Sequence, residues 1–242
     1  EREFPEICSA KNNRSRTEYI FTLTPWLVIF VMNRVPENAW VTYLDADTYF
    51  FSSPECVYKS LESTSIALVE HRFSVEQWWR KRYGRFNVGW VGFRKTESGI
   101  DASTWWAQRC REWCFDRVEN GKYADQKYLD QVPELFSDVQ ILPDPGLDLA
   151  PWNLRSHKVT EDASGHLLVD GSPLILFHFH GLVEKNGRFY FKHLSYGYRT
   201  SVIVKQRIYQ EYVKELVKVG KQIGEIQPAS DREQVVASRA LG

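Results

Sequence analysis

Two aspartates stand directly after an apolar run early in the chain. The run, Trp40–Leu44, is short and rich in residues that favour extended structure, so it predicts a buried strand. Because side chains alternate along an extended chain, Asp45 and Asp47 are expected to project to the same side, with Ala46 facing away. Two neighbouring carboxylates suit Mg²⁺ or Mn²⁺, which keep coordination positions open for phosphate oxygens. The alternative is a turn in which both aspartates cap the next segment, and the spacing alone does not decide between them.

Two histidines with the same spacing follow a second apolar run near the other end of the chain. His178 and His180 come after Leu174–Leu176, and their spacing again places both side chains on one side of an extended segment. A neutral imidazole is a ligand that Mn²⁺ accepts. Taken alone, this pair is better interpreted as two structural histidines that are held by hydrogen bonds.

Predicted helices and strands alternate between these two pairs. Short apolar runs predict the strands and longer amphipathic stretches predict the helices, with Asp101 or Ser103 as the N-cap of the helix that follows the third strand. This alternation predicts an α/β fold with a mixed sheet flanked by helices and a C-terminal helical extension. The predicted helices are 17–34, 101–118, 125–131 and 203–223; the predicted strands are 40–44, 65–70, 86–93, 139–142 and a hairpin of 166–170 with 173–179.

Composition excludes several classes of protein. The chain has 242 residues, of which 43% are hydrophobic and 26% charged, as in a folded globular protein. Basic and acidic residues balance at 31 each, so a dedicated nucleic-acid-binding protein, which usually carries a basic excess, is not expected. The four cysteines are too few for a disulfide scaffold of this size, and we interpret them as free thiols in a reducing cytoplasm.

Five short motifs occur in an order and at a spacing that resemble the family 8 glycosyltransferases. Each motif is modest by itself, and the five in order are specific; they cover residues 14–200. The motifs are Tyr43-Leu44-Asp45-Ala46-Asp47, Phe86-Asn87-Val88-Gly89, Asp125-Gln126-Lys127-Tyr128-Leu129, Trp152-Asn153 and His178-Phe179-His180-Gly181. The resemblance implies the GT-A fold, which is Rossmann-like, and a nucleotide-diphosphate sugar as donor.

The resemblance also assigns roles to individual residues. Asp45 and Asp47 match the metal-binding Asp-x-Asp pair, and His178 matches a histidine that completes the metal site, with Mn²⁺ or Mg²⁺ as the ion. His180 has no clear counterpart. Asp125 and Gln126 match an Asp-Gln pair beside the donor sugar and are the candidate catalytic residues. The residues implied in substrate binding are Asn87, Gly89, Asn153, Gly181 and Lys185.

Three features depart from the family pattern, and one is that Leu27 and Val28 stand where the family has an arginine, with Arg14 and Arg16 as candidate substitutes. The family lysine lies in a Lys-Pro-Trp sequence soon after the histidine motif, whereas Lys185 here is displaced in register and has no Pro-Trp after it. Only 44 residues precede Asp45, where the family has a longer strand–helix–strand unit that binds the nucleotide. We therefore expect the chain to be either a fragment or a protein with a reduced nucleotide-binding part.

The sequence predicts a metal-dependent glycosyltransferase. It would transfer a hexose from a nucleotide-diphosphate sugar, with UDP as the nucleotide, to a saccharide or lipid-linked acceptor with retention of configuration. Two alternatives stay open: a non-catalytic carbohydrate-binding or scaffolding form of the fold, and a metal-dependent nucleotidyltransferase or phosphohydrolase. The chain shows no basic-then-apolar leader, so we expect a cytoplasmic protein.

The expected domains are a GT-A-like domain at 1–200, an amphipathic helix at 201–226 and a disordered tail at 227–242. The helix has an apolar stripe and several lysines. Packing of the stripe on the protein is the favoured interpretation. The alternative is peripheral contact with the inner face of a membrane, where a lipid-linked acceptor would reside.

Overall fold

The computed structural model describes residues 2–191, 196–224 and 235–237, and its fold is mixed α/β. The helices are α1 (Arg16–Met32), α2 (Glu55–Lys59), α3 (Glu97–Glu112), α4 (Val132–Leu135) and α5 (Gln210–Ile223). The strands are β1 (Trp40–Leu44), β2 (Thr48–Phe50), β3 (Ile66–Glu70), β4 (Phe86–Arg94), β5 (Val139–Leu142), β6 (Val159–Glu161), β7 (Leu167–Val169), β8 (Ser172–Pro173), β9 (Leu176–His178), β10 (Val183–Lys185), β11 (Arg188–Phe191) and β12 (Val235–Ala237). Short 3₁₀ helices span Pro5–Asn12, Val75–Tyr83, Gln126–Gln131 and Leu154–Ser156, and a π-helix spans Val204–Tyr209.

The chain divides into two compact units that interleave in sequence. Unit 1 consists of Glu1–Asp45 and Glu55–Pro143, and unit 2 consists of Ala46–Pro54 and Asp144–Gly242. The sequence predicted one domain up to residue 200 and a separate helix after it. Residues 46–54 belong to unit 2 because they carry β2, which pairs with β9 in the C-terminal half.

Unit 1 is built on a four-stranded mixed sheet in the order β1-β4-β3-β5. The β1–β4 and β4–β3 pairs are antiparallel, and β3–β5 is parallel. The register of β3 against β4 shifts between Leu68 and Val69, so β4 carries an irregularity at its N-terminal end. Burial on both faces explains why β3 and β4 are almost continuously apolar.

Helices α1 and α3 cover the core of unit 1. Helix α1 begins with a capping box, in which the Ser15 side chain accepts from the Glu18 amide and the Glu18 carboxylate accepts from the Ser15 amide. Val28 and Met32 of α1 and Trp106 of α3 pack in one apolar cluster with the sheet. No helix in the described part of the chain is both long and apolar enough to cross a membrane.

Helix α3 begins earlier than its sequence predicts. Thr96, not Asp101 or Ser103, is the N-cap, and its hydroxyl accepts from the Gly99 amide at 3.2 Å. Gly99 looks like a helix breaker in the sequence, yet a Cβ there would lie 2.0 Å from the Arg94 carbonyl oxygen. The glycine is therefore needed for a close approach of α3 to the end of β4, and a sequence pattern alone does not reveal that contact.

Unit 2 contains three small sheets around a second apolar core. Their orders are β2-β9, β6-β7-β8 and β10-β11-β12. The predicted hairpin turn at Asp170-Gly171 is present, with φ of 52° and 90°, but the predicted second strand is divided into β8 and β9. Most of the predicted tail 227–242 lies outside the described residues; within it, β12 pairs in parallel with β11.

Helix α5 packs its apolar side on the core of unit 2. Tyr212, Val213 and Val217 are buried in that core, together with Ile208 and Tyr209 of the preceding π-helix. The lysines on its other side pair along the helix, Lys214 with Glu211 and Lys218 with Glu215. These contacts agree with the packing interpretation of the C-terminal helix.

Candidate functional site

The β2–β9 pair brings together residues that are far apart in the sequence. Thr48 lies opposite His178 in the antiparallel register, and the Phe179 amide donates to the Asp47 carbonyl oxygen at 2.7 Å. As a result, Nε2 of His178 lies 3.0 Å from Oδ1 of Asp47. The imidazole is buried, whereas the carboxylate is about half exposed, with 45% of the side chain accessible. The pair therefore has one side that solvent or a ligand can reach.

His180 completes a group of three potential metal ligands. One atom each from Asp47, His178 and His180 lies within 4.8 Å of the other two, and His180 is exposed. Gly181 follows with a φ of 78°, a conformation that favours glycine, and the Leu182 amide then donates to the Phe179 carbonyl oxygen at 2.9 Å. This tight turn holds His180 at the end of β9.

Asp148 lies on the other side of the His178 ring. Its Oδ1 is 3.4 Å from Nδ1 of His178, and its side chain is fully buried. The loop that carries it is held to β9, because the His178 amide donates to the Leu149 carbonyl oxygen at 2.8 Å. A carboxylate behind a histidine ring is the usual arrangement that fixes the ring and directs the opposite nitrogen toward a metal. Asp148 is therefore a positioning residue for His178.

Asn153 and Trp152 shape the same loop. The Asn153 side chain is fully buried, accepts from the Ala150 amide at 2.9 Å and donates to the Asp148 carbonyl oxygen at 3.1 Å. Trp152 contacts both histidines edge-on, with ring centroids 5.0 Å from His178 and 5.6 Å from His180. Asn153, which the resemblance places near an acceptor, thus holds the loop that carries Asp148.

The electrostatics of the group follow from two carboxylates that flank one buried ring. Burial acts to lower the pKa of His178, but hydrogen bonds and charge interactions with Asp148 and Asp47 outweigh it and raise the pKa to about 10. Burial acts to raise the pKa of Asp47, and the hydrogen bond from His178 outweighs it, so this pKa lies below its usual range. The two carboxylates therefore favour a positive charge on the His178 ring.

The residues of this group fit a divalent metal ion. Two adjacent ligands with bonds of about 2.1 Å to one ion lie about 3 Å apart, which matches the distance between Asp47 and His178. The buried Asp148 supplies the carboxylate behind His178 that metal-binding histidines commonly have. One carboxylate and two imidazoles suit Mn²⁺ better than Mg²⁺, which prefers oxygen ligands.

We predict that Asp148→Asn weakens Mn²⁺ binding by about 10- to 100-fold, the usual effect of losing a carboxylate behind a metal-bound histidine. The variant keeps the size of the side chain but loses the charge that fixes the His178 ring. Mn²⁺ affinity measured by calorimetry checks this. The matched control is Asp162→Asn, which removes the carboxylate of another Asp–His pair in unit 2, with His166. Equal affinity in Asp148→Asn and the control would contradict the role of Asp148.

Unit 1 holds most of the other predicted site residues at one end of its sheet. The Asp45 amide donates to the Gly89 carbonyl oxygen at 3.3 Å, and the Gly89 amide donates to the Asn87 side chain. Nδ2 of Asn87 lies 3.0 Å from Nε2 of His71, and both side chains are buried. The irregular end of β4 thus links Asp45, Gly89 and Asn87 in one hydrogen-bonded chain.

Asp125 is a buried carboxyl group in the same unit. Burial raises its pKa, the negative charge of Asp45 raises it further, and the resulting value is about 7. Its carbonyl oxygen accepts from the indole of Trp106 at 2.8 Å, and Thr24 hydrogen-bonds its side chain. The preceding residue, Ala124, has a φ of 45°, a strained conformation for a residue with a Cβ. A carboxyl group that changes its charge near neutral pH is suited to acid–base chemistry.

One predicted residue, Gln126, makes a contact that its motif does not indicate, and another, Lys185, is exposed. Nε2 of Gln126 donates to the Tyr83 carbonyl oxygen at 2.9 Å, so its amide anchors the end of the 3₁₀ helix Val75–Tyr83. Lys185 is exposed at the end of β10. Its placement at a phosphate therefore stays a prediction from the resemblance.

The sequence pattern does not single out two residues of these groups, Asp148 and His71. Asp148 lies in the turn-rich stretch Pro143–Asp148, where Asp144 and Asp148 are equivalent by local pattern. It is identified only because Leu149 forms a parallel bridge with Phe177, next to His178. His71 directly follows β3, and this strand-end position was a signal that could have singled it out.

Comparison with known proteins gives one relative that covers most of both chains. The sequence is 32% identical over 221 residues to a Bacillus subtilis (strain 168) protein named uncharacterized protein YfnF, which corresponds to 88% of this chain and 72% of YfnF. The chain belongs to the YfnF family. A further B. subtilis protein, uncharacterized protein YfnD, is 34% identical over 184 residues. The alignment covers 75% of this YfnF-family chain but only 59% of YfnD.

The other comparisons add little for this member of the YfnF family. No protein-family model matches the sequence. The fold overlaps with a solved structure described as a glycosyltransferase involved in the glycosylation of the major capsid of PBCV-1. That overlap covers 70% of this chain and 73% of the other, with 9% identity and a TM-score of 0.46. A similarity of this size carries no argument about function.

Proposed function

We propose that the chain is a metal-dependent glycosyltransferase. It transfers a hexose from a nucleotide-diphosphate sugar, with UDP as the first choice, to a saccharide or lipid-linked acceptor with retention of configuration. The observation that carries the proposal is the meeting of Asp47 and His178, 3.0 Å apart at the paired ends of β2 and β9. These residues come from two motifs that the resemblance to family 8 glycosyltransferases assigns to one metal site.

Asp47, His178 and His180 would hold the metal in this proposal, with Mn²⁺ preferred over Mg²⁺. When bound, such an ion neutralises the negative charge that develops on a leaving diphosphate. Asp148 holds the His178 ring in place, and Trp152 covers the edges of both imidazoles. The resemblance also assigns Asp45 to the metal, and that assignment stays a prediction.

The unit 1 residues take the sugar-binding roles that the resemblance implies. Asn87 and Gly89 contribute polar groups at the end of β4, and Asp125 and Gln126 belong to the segment that follows α3. Polar side chains fixed by backbone hydrogen bonds can hold sugar hydroxyls in one orientation. Asp125 can accept or supply a proton near neutral pH because its pKa is about 7.

A donor screen tests the proposal. The protein is incubated with Mn²⁺, a panel of UDP-, GDP- and dTDP-hexoses and short saccharide acceptors, and nucleoside diphosphate and glycosylated product are both measured. We expect transfer with at least one donor, and loss of that activity in EDTA with recovery on adding Mn²⁺. Release of nucleoside monophosphate or inorganic phosphate without transfer would favour a phosphohydrolase. Binding of a nucleotide sugar without turnover would favour a carbohydrate-binding form.

A further inference from the structure

The 3₁₀ helix Val75–Tyr83 exposes an unusual combination of aromatic and basic side chains. Its sequence is Val-Glu-Gln-Trp-Trp-Arg-Lys-Arg-Tyr. A 3₁₀ helix has three residues per turn, so its side chains form three rows. The row of Gln77, Arg80 and Tyr83 faces the protein, since Gln77 is buried and the other two are partly buried. The other two rows are exposed. One contains Val75, Trp78 and Lys81, and the other contains Glu76, Trp79 and Arg82.

Two apolar residues of this helix are strongly exposed. Val75 is 87% and Trp78 is 69% exposed. Folded proteins rarely expose neighbouring large apolar side chains to this extent. Trp79 is 41% exposed, and its ring carries the guanidinium groups of Arg80 and Arg82 at 4.7 and 5.2 Å from its centroid. Because these cations occupy Trp79, its ring is poorly suited to stack on a sugar. Trp78 and Val75 are more exposed than Trp79.

A polar pocket of about 280 Å³ adjoins the same helix. Two ion pairs neutralise four of the charged side chains that line this pocket: Glu70 pairs with Arg85, and Lys127 pairs with Asp130. The other charged residues that line it, Arg72 and Lys81, are both basic, and the exposed helix itself carries Arg80, Lys81 and Arg82 against Glu76. The surface therefore has a positive excess beside its exposed tryptophan.

The helix Val75–Tyr83 is also held by hydrogen bonds and ring contacts to the rest of unit 1. Gln126 donates to the Tyr83 carbonyl oxygen, and Nζ of Lys127 donates to the Lys81 carbonyl oxygen at 3.2 Å. Tyr83 packs on Tyr123, with ring centroids 4.8 Å apart. The aromatic and basic residues are thus presented on a fixed support, next to the Asp125–Gln126 segment.

We propose that the helix Val75–Tyr83 is a docking surface for the anionic face of a phospholipid bilayer. Tryptophan prefers the boundary between acyl chains and headgroups, and neighbouring lysine and arginine side chains bind anionic headgroups. Val75 and Trp78 enter the boundary, and Lys81, Arg82 and the adjoining basic pocket contact lipid phosphates. The charge of the surface is complementary to anionic lipid, and its exposed indole distinguishes a membrane from a soluble polyanion. This site differs from α5, whose apolar side is covered by unit 2.

Vesicle flotation tests this surface without metal or sugar, so its outcome is independent of the proposed enzymatic function. We expect the wild-type protein to float with phosphatidylcholine vesicles that contain about 30% phosphatidylglycerol and not with phosphatidylcholine alone, with binding weakened above about 0.15 M salt. Trp78→Ala and the double variant Lys81→Ala/Arg82→Ala should each lower binding at least about tenfold. The matched control, Lys214→Ala/Lys218→Ala on α5, should bind as wild type does.

Three outcomes would overturn the proposal. One is wild-type protein that floats with neither vesicle, or equally with both. Another is loss of binding in the α5 control with retention in the Lys81/Arg82 variant, which would move the contact to α5. The third is normal binding by Trp78→Ala together with loss in the Lys81/Arg82 variant. That result would identify a general polyanion site, such as one for nucleic acid, rather than a membrane surface.

Discussion

Alanine in place of Asp47 or His178 is expected to remove Mn²⁺-dependent transfer, with a loss of at least about a thousandfold, as for other groups that stabilise charge in the transition state. Asp47 supplies the carboxylate of the proposed metal group and His178 its buried imidazole. Unit 2 should stay folded in Asp47→Ala, because this side chain is about half exposed and the substitution keeps the backbone hydrogen bond from the Phe179 amide to the Asp47 carbonyl oxygen.

The comparison between the two histidines makes this prediction sharper. His178 is buried and held by Asp148, whereas His180 is exposed at the turn. We therefore expect His178→Ala to lose more Mn²⁺ affinity than His180→Ala, measured by calorimetry on variants whose melting temperatures match the wild type. A larger loss of Mn²⁺ affinity in His180→Ala would contradict the assignment of His178 as the stronger imidazole ligand. Undiminished Mn²⁺-dependent activity in Asp47→Ala would contradict a metal site at Asp47, His178 and His180.

Asp125→Asn is expected to make the protein more stable at pH 8 while it slows transfer. The pKa of Asp125 is raised to about 7 by burial and by Asp45, above the value of about 3.9 in an unfolded chain. The folded state therefore takes up a proton between about pH 4 and pH 7. The stability that this proton gives is fully present below pH 4 and is lost as the pH rises through 7.

An amide cannot ionise, so Asp125→Asn should unfold with less pH dependence than wild type. At pH 8 its free energy of unfolding should exceed that of wild type by roughly 2–4 kcal/mol. Denaturant unfolding at pH 5 and pH 8, with chelator present, measures this. The control is Asp138→Asn: burial acts to raise the pKa of Asp138, but hydrogen bonds from Ser65 and Ser98 outweigh it and lower the pKa. That variant should lose stability at pH 8. If the free energy of unfolding depended on pH identically in wild type and Asp125→Asn, the raised pKa of the buried Asp125 carboxyl group would be contradicted.

The sequence predicts the four strands of the unit 1 sheet to within one residue at each end. Strand β1 begins and ends where its apolar run does, and β5 likewise matches its predicted bounds. Both strands lie against other strands, so hydrophobicity and extended preference act together. The meeting of Asp47 with His178 follows the family resemblance, since local pattern cannot show that β2 pairs with β9.

The remaining features depend on tertiary contacts that leave no local signal. Helix α3 begins at Glu97 because Gly99 permits a close approach to the Arg94 carbonyl oxygen. Asp148 reaches His178 through a bridge between segments that are distant in sequence. The interleaved units arise because 46–54 leaves unit 1 to pair with β9. In each case the residue type is visible in the sequence, but its partner is not.

Titration of the protein with Mn²⁺, followed by the electron paramagnetic resonance signal of the free ion, tests the central claim most directly. We expect one ion to bind per chain, with affinity increased by UDP and lost in Asp47→Ala and His178→Ala but retained in Asp162→Asn. Binding that is absent at millimolar Mn²⁺ with and without UDP, or that is unchanged in Asp47→Ala and His178→Ala, would contradict a metal centre at Asp47, His178 and His180.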